Sequence, residues 1–237
     1  MKTSTAVLTL ASTRVALHAA SFLAHNWILA PYTAPWLLGD GHPQSIALTF
    51  DDGPDPISTP LLLDLLDAND IKATFFVLGE MVDRQPGLAR DILARGHELG
   101  THGYWHKNHL IRSARSIRYD LARALATIET ATGTRPTWYR PPYGVVTRAD
   151  LTAAHAEGLR LVLWGTWGRD WRRQASPVSV MADLRSRFHP GVTILLHDSD
   201  CTSYPGSFQA TLQALPQLID LARSQRLTFA TLSNHGI

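Results

Sequence analysis

The chain has 237 residues, 45% of them hydrophobic and 18% charged, with a formal net charge of +2. That composition supplies a sizeable core, and the length suits a single α/β barrel of about 200–250 residues. The small charge, with no run of lysines or arginines, leaves no electrostatic footprint for nucleic acid, and the single cysteine, Cys201, excludes an internal disulfide and a cysteine-built zinc site.

A lone thiol fits either the cytoplasm or a cell envelope, so the compartment stays open, as does the oligomeric state. Val15 to Leu38 contains no Asp, Glu, Lys or Arg. Pro31 and Pro35 nevertheless argue against a spanning helix, which needs about 20 mostly apolar residues. Lys2 and the following TSTAVLTLAS form a faint signal-peptide pattern. Residues 1–40 are read as an extension packing on the domain, with membrane-surface association or a signal as alternatives. Residues 41–237 are read as the domain.

SIALTF (Ser45–Phe50) is an apolar run ending in DDGPDP, which predicts a strand and then a loop. A helix should begin near Ser58, carrying Leu61, Leu62, Leu65 and Leu66. ATFFV (Ala73–Val77) predicts the next strand, Pro86–Arg95 a helix stopped at Gly96, and HELGT (His97–Thr101) a brief strand. Ile117, Leu121, Leu125 and Ile128 recur at helical spacing. A short strand then ends at Tyr139–Arg140, a helix runs from about Thr147 to Glu157, and LRLVLW (Leu159–Trp164) reads as a buried strand. Val180, Leu184 and Phe188 mark another helix, and VTILLH (Val192–His197) another strand. Leu212, Leu215, Ile219 and Leu221 belong to a last helix, bent or restarted at Pro216 because proline lacks an N–H. LTFATL (Leu227–Leu232) closes the series.

Strands alternating with helices predict parallel βα units and an α/β barrel. In such barrels reactive groups gather at the C-terminal ends of the strands. Polar clusters fall there, after Phe50, Thr101, Tyr139, Trp164 and Leu196.

Taken singly, each cluster has a structural reading. Asp51–Asp52 can be an acidic turn, or one carboxylate can bind a cation while the other handles protons. His102 and His106, four apart on a Gly-containing loop, can meet one metal, since imidazole is a good zinc ligand. With an aspartate they make a three-ligand set that leaves a position open for water. YRPPYG (Tyr139–Gly144) is a rigid segment in which Arg140 can bridge a carboxylate. Asp170–Trp171 and His197 are weak signals alone.

Together and in this order, TFDDGP, HGYWH, RPPYG, DW and LLH resemble the five motifs of the NodB-homology polysaccharide deacetylases, a carbohydrate esterase type. The resemblance covers Gln44 to Leu232. It implies a distorted (β/α)7 barrel, with Asp51 as catalytic base and Asp52, His102 and His106 as metal ligands. It implies that Arg140 pairs with the base, that the Tyr143 backbone N–H is an oxyanion donor, and that Asp170 orients the general acid His197. Trp171, Pro142 and Leu195 would form the substrate pocket, Leu195 against the acetyl methyl.

The implied cofactor is one divalent cation, Zn2+ first, with Co2+, Ni2+ or Mn2+ open. The implied reaction removes N-acetyl groups from aminosugars of a polysaccharide or glycoconjugate, releasing acetate. Hydrolysis of another bond, such as a carbohydrate O-acetyl ester, and non-catalytic carbohydrate binding are the alternatives. Two departures stand out. Gly103 follows the first histidine where the family usually has Ser or Thr, which removes a hydroxyl that could brace the metal loop. Trp167 replaces an aspartate three residues before Asp170, which implies an altered groove.

Overall fold

The computed structural model describes residues 30–237. The alternatives of a signal or a membrane-surface segment therefore rest largely on residues outside those described. No helix among the described residues is long and apolar enough to cross a membrane.

The strands are β1 (Ser45–Asp51), β2 (Thr74–Val77), β3 (Glu98–Thr101), β4 (Trp138–Tyr139), β5 (Arg160–Leu161), β6 (Thr166–Trp167), β7 (Thr193–His197) and β8 (Thr228–Ala230). They form one parallel sheet in the order β5-β4-β3-β2-β1-β7-β6, with β8 added to β1. The chain is thus an α/β protein with a curled, parallel-stranded barrel. Its seam lies between β5 and β6, which among the described residues each pair on one side only. β8 pairs with Ser45–Ala47, below the point where β2 pairs with Thr49–Asp51.

Beyond a single helical turn at Ala30–Thr33, the helices are α1 (Ser58–Ala68), α2 (Gly79–Arg84), α3 (Pro86–Ala94), α4 (Ala114–Thr132), α5 (Arg148–Ala156), α6 (Pro177–Arg185) and α7 (Phe208–Ser224). Their starts follow from local chemistry. Asp55 accepts the Ile57 and Ser58 N–H groups ahead of α1, and Thr147 with Asp150 forms a capping box at α5. Gly133, at φ 72°, ends α4.

β1 is buried along its whole length, and its two faces differ. Ile46, Leu48 and Phe50 join the main core with Leu62, Leu63 and Leu66 of α1 and Leu215, Leu218 and Ile219 of α7. Each such side chain contributes about 1.5–3 kcal/mol of burial. The alternate residue Ala47 instead meets Phe76, Trp138 and Val162 inside the barrel. The same two-residue period puts Thr49 and Asp51 on that inner side.

One expected strand is corrected, and two helices need comment. LRLVLW does not form one strand; only Arg160–Leu161 pairs, and a separate two-residue strand follows at Thr166–Trp167. The reason is that Val162 and Leu163 spend their carbonyls on the Arg140 guanidinium, while the Leu163 N–H donates to the Leu37 carbonyl at 2.6 Å. Helix α7 runs through Pro216 without a restart. Helix α2, six residues at Gly79–Arg84, had no counterpart among the expected elements. Of the expected extension, Ala34 and Leu37 are buried against Val146, Leu163, Trp164 and Leu195.

Candidate active site

Parallel pairing brings the C-terminal ends of the strands to one rim, and the register decides which residues meet. Asp51, the last residue of β1, is level with His197, the last of β7. Thr101 of β3 is level with Tyr139 of β4, so His102 and Arg140 leave the sheet side by side. Trp167 is level with Leu195, and Asp170 follows three residues later. A cavity of about 180 Å³ opens at this rim, bordered by Asp51, Asp52, His102, His106 and His197 on its polar side.

Asp52 is buried at φ 80°, a left-handed conformation rare for a residue with a side chain. That turn aims its carboxylate at the two imidazoles. Its Oδ1 lies 3.5 Å from Nε2 of His102 and 3.5 Å from Nε2 of His106. The candidate ligand atoms of the three residues lie within 4.8 Å of one another.

Three observations fit this trio to a divalent cation. Asp52 Oδ1 is buried without a hydrogen-bond partner, a costly state unless something positive meets it. His102 Nδ1 is 2.7 Å from the Arg140 carbonyl oxygen. A carbonyl only accepts, so Nδ1 carries the proton and the lone pair sits on Nε2, facing Asp52. Burial, then the neighbouring His106, holds the His102 pKa well below its ordinary value, and burial lowers that of His106. Neutral imidazoles are the form that ligates.

Asp51 is held differently. Its Oδ1 accepts from Arg140 Nη1 at 2.7 Å. The same guanidinium donates to Thr49 Oγ1 at 2.8 Å and to the Leu163 carbonyl at 2.6 Å, and lies 4.1 Å from the Phe76 ring centroid. Burial pushes the Asp51 carboxyl up to about 6, with Asp52 adding to the rise and the Arg140 and His197 charges opposing it.

His197 Nδ1 is 2.8 Å from Asp170 Oδ1, and its backbone N–H donates to Asp170 Oδ2 at 2.9 Å. Thr211 donates to the same Oδ2 at 2.6 Å. Burial opposes the charged imidazole, yet the Asp170 carboxylate, with Asp52 and Asp51 adding to it, pushes His197 up to about 10. Burial likewise opposes the Asp170 charge, and His197 together with the three hydrogen bonds holds that carboxyl below its usual range.

The apolar side of the cavity is Leu195 and a run of indoles. Trp164 stacks on Trp167 at 5.5 Å, Trp167 lies 4.9 Å from Trp171, and Trp171 meets His197 edge-on at 5.4 Å. Trp167 therefore forms part of the groove wall. Tyr143, at φ 60°, borders the opening with its ring 4.3 Å from that of His106. Pro142 is buried and does not border the cavity; Tyr143 and Gly144 do.

Some contributors were not read from the sequence. Thr202 donates to Asp52 Oδ2, and Thr202 and Ser203 border the cavity. Thr49 and Thr211 brace Arg140 and Asp170 from within. Only the inward parity of Thr49 on β1 could have signalled any of them. Thr202 lies on an irregular loop, and Thr211 on a helix whose apolar spacing gave no reason to select it.

Residues 39–162 match the family model described as polysaccharide deacetylase. A peptidoglycan-N-acetylglucosamine deacetylase of Bacillus cereus is 31% identical over 82% of this chain and 69% of its own length. A chitooligosaccharide deacetylase of Sinorhizobium fredii is 35% identical over 83% of this chain and 94% of its own. Among solved structures, the Bc1960 peptidoglycan N-acetylglucosamine deacetylase superposes with a TM-score of 0.75 at 30% identity, covering 81% of this chain and 88% of that one. With a matched family model spanning more than half its length, and relatives aligned along most of theirs, this chain belongs to the polysaccharide deacetylase family.

Proposed function

We propose that this deacetylase is a metal-dependent hydrolase that removes N-acetyl groups from aminosugars in a glycan. The observation that carries the reading is the division of labour between adjacent carboxylates. Asp52 Oδ1 lies 3.5 Å from both imidazoles, whereas Asp51 gives its Oδ1 to a buried guanidinium at 2.7 Å and stands off from His102 at 3.8 Å through Oδ2. One is suited to hold a cation and the other to exchange a proton.

A divalent cation held by Asp52, His102 and His106 supplies Lewis acidity and makes water a nucleophile at neutral pH. Asp51, with its pKa near 6, takes the proton of the attacking water. Oxygen bonds to the acetamide carbonyl carbon, and the C–N bond then breaks. His197, charged through Asp170, delivers a proton to the departing nitrogen, leaving acetate and a free amine. Such proton transfers contribute about 10²–10⁴-fold each. The Tyr143 backbone N–H is assigned to the developing oxyanion, Leu195 to the acetyl methyl, and Trp171 to the sugar.

Similarity to proteins named for peptidoglycan N-acetylglucosamine and for chitooligosaccharides favours an N-acetylglucosamine unit. Zn2+ suits the Asp-His-His donor set. The test is acetate release from peptidoglycan, N-acetylated chitooligosaccharides and O-acetylated sugars, with and without a chelator, alongside metal analysis of the purified protein. Chelator-sensitive release from N-acetylated glycans supports the reading. Release from O-acetylated substrates alone, or undiminished turnover by metal-free protein, overturns it.

A further inference from the structure

The loop that carries the two imidazoles is braced by a carboxylate outside the five motifs. Gly103, Tyr104 and Trp105 lie between His102 and His106. Asp120 of α4 accepts the Tyr104 N–H at 2.8 Å through Oδ2 and the Trp105 N–H at 3.1 Å through Oδ1. It is 6% exposed, so these bonds are made out of reach of competing water. From the other side, the first amides of α2 bind the loop carbonyls, Gly79 N–H to Gly103 at 3.0 Å and Glu80 N–H to Tyr104 at 3.1 Å.

The approach of Asp120 depends on what stands at 103. Gly103 has φ 84°, and a Cβ there would come within 2.6 Å of Asp120 Oδ2. Alanine at 103 would have to expel the carboxylate or twist the loop, besides adopting a left-handed conformation that side chains resist. The missing side chain is therefore the condition for the carboxylate's contact.

We infer that Asp120 is a positioning residue for the metal-ligand loop, and that Gly103 and Asp120 act as one unit setting the spacing of His102 and His106. The inference rests on the metal reading proposed above. Groups that orient metal ligands typically change affinity by about 10–100-fold when removed.

The experiment measures Zn2+ affinity by chelator competition, and the melting temperature of the metal-free protein, for Asp120→Ala, Asp120→Asn, Gly103→Ala and the Gly103→Ala/Asp120→Ala pair, with His102→Ala as control. Asp120→Ala is expected to weaken Zn2+ binding by about 10–100-fold, and Asp120→Asn, which keeps one acceptor, by less. Gly103→Ala should weaken it too, and should cost less where Asp120 is already alanine. If Asp120→Ala fails to fold, Asp120→Asn and Gly103→Ala carry the test. A lowered melting temperature with parental Zn2+ affinity in these variants, while His102→Ala loses Zn2+, overturns the inference alone. Parental Zn2+ affinity in His102→Ala overturns the metal reading with it.

Discussion

Asp51 Oδ1 and Arg140 Nη1 lie 2.7 Å apart, with both side chains shut away from solvent. A buried pair of this kind adds little net stability, but removing one partner strands the other charge. Arg140→Met is expected to destabilise the fold by about 3–5 kcal/mol in denaturant titrations. It should also raise the Asp51 pKa further, because the main opposing charge is gone. A variant as stable as the parent would contradict the pairing.

The pH dependence follows from two groups with opposite requirements. Asp51 must be unprotonated to accept a proton, so kcat/KM should rise as pH climbs through about 6. A bound cation nearby would draw that limb lower. His197 must be protonated to donate, so activity should fall as pH climbs through about 10. Asp170→Asn removes the charge that raises His197 and should pull the alkaline limb downward. An alkaline limb that stays in place would remove His197 as the acid.

Substitutions within the acidic pair should separate chemistry from metal binding. Asp51→Asn is expected to reduce kcat by about 10²–10⁴-fold or more while metal content stays near that of the parent. Asp52→Asn and His102→Ala should lose metal and activity together. Metal analysis with steady-state kinetics on each variant checks this, and full metal content in Asp52→Asn would exclude the assigned ligand set.

Thr202 gives a milder test. Its hydroxyl occupies Asp52 Oδ2 and leaves Oδ1 directed at the imidazoles. Thr202→Val keeps the side chain's shape and removes the donor. Metal affinity is expected to drop by up to about 10–100-fold, with little change in thermal unfolding of the metal-free protein, since Thr202 is exposed. Unchanged affinity would mean the carboxylate is oriented by its backbone alone.

Much of this was legible in the chain, for identifiable reasons. Apolar runs that end abruptly in polar residues, as at Phe50–Asp51 and Leu196–His197, mark buried strands whose ends reach the rim. There the two-residue period fixes which side chains point inward. LRLVLW (Leu159–Trp164) reads as one strand because an apolar pattern is indifferent to backbone partners. Val162 and Leu163 look like strand residues, yet their carbonyls serve Arg140, which lies some twenty positions earlier. The motif resemblance puts Pro142 in the pocket, whereas it is buried and the cavity is bordered by Tyr143 and Gly144 instead. Asp120 and Thr202 were invisible because each acts on a distant backbone or carboxylate from a position whose local pattern is ordinary helix or loop.

Leu37 and Ala34 back the same wall that holds Trp164 and Leu195, and the Leu37 carbonyl anchors Leu163. A shortened protein that started at Gln44, where the motif resemblance begins, would keep every reactive group. It would nonetheless strip the lagging from behind the Trp164–Leu195 wall and free the very stretch that grips Arg140. Trimming to the motifs would thus loosen the Asp51–Arg140 pair from the far side of the barrel.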